Sequence, residues 1–225
     1  MKKNLIIVEG SSDKKFFKAL LVKEDLINKF AVEKITEGGG KTEFEFNNIK
    51  ALLNQFANKD PNQNFPDNVL LICDADFEKT RKPLCGFKEN KTFLDNLVTN
   101  FNNLVEDESS KEKKRKYPNT DFHFFILPNN KDDGNLESLF LQCATKKITE
   151  KSSCVDGYLE CLDENFLKSL PINKADKLRS QLLVLAIGIQ KGFGDVGDVA
   201  DEKAGYWNLD HKALEPLKKF LKKFN

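Results

Sequence analysis

Leu5-Ile6-Ile7-Val8-Glu9-Gly10-Ser11-Ser12-Asp13 is the stretch on which the fold turns. Four consecutive apolar residues make a run of strand length, and an unbroken apolar run suits a strand buried on both faces. The two serines and Asp13 are helix-start residues, after which Phe16, Phe17, Leu20, Leu21 and Ile27 recur at helical spacing. Glu9 therefore stands where a strand gives way to a helix. A second stretch repeats the arrangement, with Val69-Leu70-Leu71-Ile72-Cys73 running into Asp74-Ala75-Asp76. In an open parallel sheet such strand ends line up at the carboxyl edge, where ligands bind. Glu9, Asp74 and Asp76 are then expected to face one small volume. Carboxylates gathered this closely raise one another's pKa unless a divalent cation neutralises them, so the pattern points to a hard-metal site. Asp74 and Asp76, two apart at a strand's end, project to the same side of the pleat and can share a cation.

Working outward, Ala31 to Thr36 reads as a short strand closed by Gly38-Gly39-Gly40, and Ile49, Leu52, Leu53 and Phe56 mark an amphipathic helix. Asp60-Pro61 through Pro66-Asp67 is a turn-rich connection into the Val69 strand. Phe93, Leu94, Leu97, Val98, Phe101, Leu104 and Val105 form the longest helical stripe. Residues 106–120 are dense in charge and read as a solvated loop, and Phe122 to Leu127 returns as a strand stopped by Pro128. Strands alternating with helices at this spacing predict an α/β fold with an open, mainly parallel sheet flanked by helices. From about residue 136 the apolar spacing turns helical. The expected organisation is an α/β domain over 1–145 and a helical C-terminal extension over 146–225, packed on that domain because its stripes are too sparse to close a core alone.

Charge and cysteine usage narrow the function. Lys and Arg number 36 against 35 Asp and Glu, a formal net charge of +1, so no global field advertises a polyanionic partner and any nucleic-acid contact must be local. The five cysteines, at 73, 85, 143, 154 and 161, are odd in number and lack C-x-x-C spacing, which argues against a disulfide framework and a zinc knuckle. Cys73 sits inside a strand run and Cys143 on an apolar helical face, so buried thiols in a reducing cytoplasm are the expected reading. Met1-Lys2-Lys3 precedes only a strand-length apolar run, and no run of membrane-spanning length follows, so neither a signal segment nor a membrane is expected.

Taken together, Val8-Glu9-Gly10-x-x-Asp13 and Leu71-Ile72-Cys73-Asp74-Ala75-Asp76 resemble the TOPRIM domain, the core shared by type IA and II topoisomerases, bacterial primases and OLD-family nucleases. The first run is similar to the V-E-G-x-x-D run of primases and the second to the family's strand ending in D-x-D. Gly134-Asn135-Leu136-Glu137 resembles the D-L-E-type motif that follows the fourth strand in OLD nucleases and in small TOPRIM-like bacterial proteins. The resemblance covers residues 1 to about 145. It implies a Rossmann-like sheet, Glu9 as general acid or base or as a metal ligand, and Asp74 and Asp76 holding Mg²⁺ or Mn²⁺ against a phosphodiester, with Glu137 as a fourth acid. Nucleic acid, DNA or RNA, would be the substrate and hydrolysis the reaction. The chain carries no ATPase region, topoisomerase tyrosine module or primase zinc domain, so strand passage and full primase activity are not expected.

The chemistry also stands on its residues. Phosphoryl transfer asks mainly for positioning and charge neutralisation, which carboxylate-held cations supply. Gly10, Ser11, Ser12 and Asp13 open a helix whose amides can meet a phosphate oxygen, and Lys41 in the glycine-rich loop can approach the same group. Plainer readings compete at each position. Asp13 is an ordinary first-turn acid complementing the helix dipole, Asp74 and Asp76 could cap a turn, and Glu137 is equally well an exposed acid early in a helix. Gly38-Gly39-Gly40-Lys41-Thr42 lacks the leading glycine of a phosphate loop, since Ile35 stands there. Gly192-Phe193-Gly194-Asp195-Val196-Gly197 matches a dinucleotide fingerprint by spelling only, after a helical run and with acids that would repel a pyrophosphate. The lysines of 111–116 and of the C-terminal helix read as solvated faces. The alternative function is a non-catalytic module, either a degenerate TOPRIM site binding metal, nucleic acid or a protein partner, or a receiver-like fold. A receiver domain would need a lysine after its fifth strand, and none is present.

Overall fold

The computed structural model of the chain describes residues 3–35, 44–58, 64–76, 85–106, 113–115, 117, 119–162, 181–182, 196–197, 200 and 205–225. The order of elements is β1 (Asn4–Val8), α1 (Ser11–Lys23), β2 (Phe30–Lys34), α2 (Phe46–Asn58), β3 (Asn68–Asp74), α3 (Phe87–Asn102), β4 (Leu104–Glu106), β5 (Lys113–Arg115), β6 (Asp121–Leu127), α4 (Leu136–Cys143) and α5 (Lys146–Leu162). A 3-10 turn (Lys212–Leu214) and α6 (Glu215–Lys222) complete it.

The main sheet has four strands in the order β2-β1-β3-β6, every neighbouring pair parallel. Its strands are apolar on both sides, and the period of two sorts them cleanly. Ile6, Val8, Leu70, Ile72, Phe125 and Leu127 face a core shared with Phe16, Phe17, Leu20 and Leu21 of α1 and with residues of α4, α5 and α6. Leu5, Ile7, Val69, Leu71, Cys73, Phe122 and Ile126 face a second core with Ile49 and Leu53 of α2 and Leu94, Leu97 and Phe101 of α3. The result is the helix–sheet–helix layering that the alternating pattern predicts. From β1 the chain crosses to β2 on one side, then returns over β1 to β3 on the other. The reversal between β1 and β3 opens a crevice at their carboxyl ends, where open parallel sheets place their ligands.

The segment after Cys143 contributes to the first of these cores. Ile148, Val155, Leu159, Val196, Ala200, Trp207, Leu209, Leu217 and Leu221 are buried with the strands and α1. Trp207 stacks between Phe16 and Phe140, at centroid distances of 4.7 Å and 5.1 Å. Backbone bonds from Thr145 N–H to the Tyr206 carbonyl (3.0 Å) and from Asn208 N–H to the Cys143 carbonyl (2.7 Å) stitch this segment to the end of α4.

Two local expectations are corrected. The stripe ending at Leu104 and Val105 is not one helix: α3 stops at Asn102, and both residues enter β4. The charged stretch that follows is not all loop, because β5 pairs antiparallel with β4. Asn102 explains the stop. Its side-chain amide accepts from Phe122 N–H (3.1 Å) and donates to the Phe122 carbonyl (3.2 Å), standing in for a neighbouring strand beside β6. A polar group tied to the sheet edge this way fixes where the helix must end.

Candidate metal centre

Glu9 and Asp74 meet at the β1–β3 crevice. The parallel register that places Val8 opposite Ile72 brings their loops together, and Glu9 Oε1 accepts a hydrogen bond from Asp74 N–H at 2.8 Å. Asp74, the last residue of β3, points its own carboxylate onward to α4, where Oδ1 accepts from Leu136 N–H at 3.0 Å. The first turn of α4, capped by Asn135 through its bond from Ser138 N–H (2.9 Å), thus carries Glu137 to the same place.

Asp76 reaches the site through a different device. It adopts a left-handed backbone, φ 56°, which aspartate tolerates better than most residues. Its N–H donates to the Gly134 carbonyl at 2.7 Å and its carbonyl accepts from Gly134 N–H at 3.0 Å. Gly134, at φ 149°, has no room for a side chain, since a Cβ would stand 3.0 Å from Pro128. This reciprocal bridge locks the Asp74–Asp76 loop to the segment that leads into α4. On the other flank, Asp13 Oδ2 accepts from Gly10 N–H at 2.9 Å and closes the turn between β1 and α1. Asp13 thus holds the first turn of α1, and it is also one of the charges that act on Asp74.

The electrostatics are one-sided. Asp74 keeps part of its surface open to solvent, yet burial of its carboxyl group pushes the pKa well above the usual carboxylate range. Asp13, Glu9, Glu137 and Asp76 push it further in the same direction. Among the described residues the charges acting on it are carboxylates, so the five acids form a repelling cluster. The donor set fits a hard divalent cation in kind, because it offers carboxylate oxygens, the ligands such a cation prefers. Among the described residues no three His, Cys, Asp or Glu side chains stand as a ready-made metal cage. The bonds from Asp74 N–H to Glu9 and from Leu136 N–H to Asp74 occupy oxygens that a cation would share or take over.

Glu9, Gly10, Ser11, Ser12, Asp13, Asp74, Asp76 and Glu137 thus come to one edge of the sheet, whereas Lys41 and its glycine-rich loop lie outside the described residues. Spacing did not reveal Asn135 and Gly134 as the residues that aim Glu137 and Asp76. An N-cap asparagine three residues before Ser138 was the available signal. Sequence also did not foresee that His211 would lie beside Cys143, Nδ1 to Sγ at 3.6 Å. That pair is not a nucleophile and its base: burial pushes the Cys143 thiol up to about 12, and His211 Nδ1 accepts from Ala213 N–H at 3.3 Å as a helix cap.

The chain belongs to the family described as "Protein of unknown function (DUF3226)", whose model matches residues 3–225. Its structure is similar to that of hypothetical protein PH0156 from Pyrococcus horikoshii OT3, at 16% identity and a TM-score of 0.49 over 100% of this chain and 96% of that one. It is also similar to the C-terminal region of the Burkholderia pseudomallei OLD protein, at 16% identity and a TM-score of 0.45 over 99% and 98% of the two chains. No curated protein matches it. No helix among the described residues is long and apolar enough to cross a membrane.

Proposed function

We propose that this chain is a TOPRIM-like protein that hydrolyses phosphodiester bonds in nucleic acid with Mg²⁺ or Mn²⁺ bound at Glu9, Asp74, Asp76 and Glu137. The observation that carries the reading is the convergence of these acids on Asp74 at the strand-order reversal, with Glu9 bonded to the Asp74 amide at 2.8 Å. The bound cation would polarise the phosphate and lower the pKa of an attacking water. Glu9, held by the β3 backbone, is placed to orient that water or to take its proton. Asp74 and Asp76 supply charge and position, the former fixed by Leu136 N–H and the latter by the Gly134 bridge. The opening of α1 at Gly10–Ser12 adds amide donors for a phosphate oxygen. In the sequence, Lys41 remains the candidate basic contact to the substrate backbone. A cytoplasmic location accords with an odd number of cysteines that show no C-x-x-C spacing.

A second reading, a metal- or partner-binding module without turnover, is favoured by one observation: both Glu9 and Asp74 already accept backbone N–H bonds. The experiment that decides is a cleavage assay on labelled single- and double-stranded DNA and RNA with Mg²⁺ or Mn²⁺, run beside Asp74→Asn. Metal-dependent cleavage that the variant loses supports hydrolysis. A wild type inert on every substrate, but stabilised by Mn²⁺ where Asp74→Asn is not, leaves the binding module standing.

A further inference from the structure

Gly197, in the glycine-rich run that spelling alone compared with a dinucleotide fingerprint, lies against the acidic site. A Cβ at this position would overlap the carbonyl oxygen of Ser12 and come within 2.8 Å of the Ser12 Cα and carbonyl carbon. All three are backbone atoms, so no side chain can swing aside to make room. The tail at residue 197 therefore approaches the first turn of α1 backbone to backbone. The approach is anchored on either side: Val196 and Ala200 are buried in the core that contains α1, and Trp207 Nε1 donates to the Val196 carbonyl at 3.1 Å.

We propose that Gly197 is a positioning residue for the acidic cluster, and that its segment is a strap seated on Ser12 that holds the Glu9–Asp13 turn in place. Ser12 sits inside a unit that cannot move piecemeal. Asp13 Oδ2 holds Gly10 N–H at 2.9 Å, Lys14 N–H bonds the Gly10 carbonyl at 3.1 Å, and Glu9 reaches across to Asp74 N–H. Displacing Ser12 displaces Asp13 and Glu9 together, one a charge acting on Asp74 and the other a bond to it. Gly197 thereby sets the spacing of the acids without being a ligand itself. The consequence for cation binding rests on the metal site proposed above; the consequence for the turn does not.

The test compares Gly197→Ala, which drives a methyl group into the Ser12 backbone, with Leu159→Ala, which removes apolar volume from the same core on α5. Gly157→Ala, which meets nothing within 4 Å, is the neutral control. Two quantities are read on the full chain: amide hydrogen exchange at Gly10 and Lys14, and Mn²⁺ affinity by calorimetry. Gly197→Ala is expected to lose protection at both amides and to bind Mn²⁺ about tenfold or more weakly, the scale seen when an outer support of a metal site is disturbed. Leu159→Ala is expected to melt earlier while keeping both amides and the affinity at wild-type values. Should Gly197→Ala fail to fold, Trp207→Phe removes the bond to Val196 while keeping a ring in place, and should shift both readouts the same way by less. Unchanged exchange at Gly10 and Lys14 in the folded variants overturns the strap, as does an equal loss of protection in Leu159→Ala. A wild type that takes up no Mn²⁺ overturns the metal reading, and the exchange data alone then decide the strap.

Discussion

At the C-terminal end of α1, Glu24 takes the ammonium groups of Lys218 and Lys222, each at 2.6 Å, while at the N-terminal end of the same helix the charges of the described residues that act on Asp74 are those of other acids. Burial alone would raise the Glu24 carboxyl, but the hydrogen bonds and charges of the two lysines outweigh it and hold it below the ordinary glutamate value. At Asp74, burial and charge push in one direction, upward. Lys218 is itself buried and also lies 3.5 Å from Asp210, which in turn pairs with Lys23 at 3.1 Å. That end is a tie between α1 and the C-terminal helix, neutralised by the chain itself. At the other end Asp13, Glu9, Glu137 and Asp76 all push the Asp74 carboxyl the same way. A buried charge cluster that is already paired holds a fold together, whereas one of a single sign is where the fold gives up stability for chemistry.

The largest expected effect lies at the unbalanced end. On the proposed metal reading, Asp74→Asn removes one anionic ligand with almost no change in volume. Metal-dependent cleavage should fall by at least about a hundredfold, since a bound cation supplies several kcal/mol of transition-state stabilisation. The metal-free melting temperature should stay level or rise, because repulsion among the remaining acids is relieved. A variant that cleaves at the wild-type rate, or that melts well below wild type without metal, would erase the contrast with Glu24.

Next in size is the balanced end. Glu24→Gln leaves the Lys218 ammonium buried with its nearer partner neutral, which should cost about 3 kcal/mol of stability. For a chain of this length that lowers the melting temperature by roughly 6–12 °C. Mn²⁺ binding at the far end of α1 should be unaffected, and weakened binding would mean that the two ends are coupled.

The same pair carries a pH dependence. The folded pKa of Glu24 lies below the unfolded glutamate value of about 4.3, so its stabilisation is complete above that value and is lost as the pH falls through the lower folded one. Thermal melts between roughly pH 5 and pH 3 should fall more steeply for wild type than for Glu24→Gln, by the share that this one carboxylate contributes. Parallel curves would show that the lysines do not hold it down.

The smallest effect tests a place where neither cluster reaches. Gly157 lies within α5 and a Cβ there meets open space, so Gly157→Ala should stabilise the fold by about 0.5–1 kcal/mol. Chemical denaturation would read the gain, and a loss of stability would mean that α5 packs more tightly at that face.

Much of the layering was legible because it is a local property. Alternation along β1, β3 and β6 assigns each apolar residue to one of two cores, and a run with no polar interruption means burial on both faces. The acids that follow β1 and β3 were visible for the same reason, since a strand's carboxyl end is marked by where its apolar run stops. The end of α3 was hidden because the apolar spacing of Leu104 and Val105 continues the helical rhythm, while the group that breaks it, the Asn102 amide, acts on Phe122 in another strand. The role of Gly197 was not legible because a six-residue spelling says nothing of what a backbone is pressed against.

The sequence by itself determined which residues could be strand, helix and acid, because propensity and periodicity are written over a few neighbouring residues. It determined that Glu9 follows the apolar run of one strand and that Asp74 and Asp76 follow the apolar run of another. Only the tertiary structure decided the order β2-β1-β3-β6, which makes those two strands neighbours, and the bonds that then close the site. Glu9 meets the Asp74 amide across 65 residues and Asp74 meets the Leu136 amide across 62. Contacts at such separations come from chain crossovers and core packing, so no local pattern specifies them.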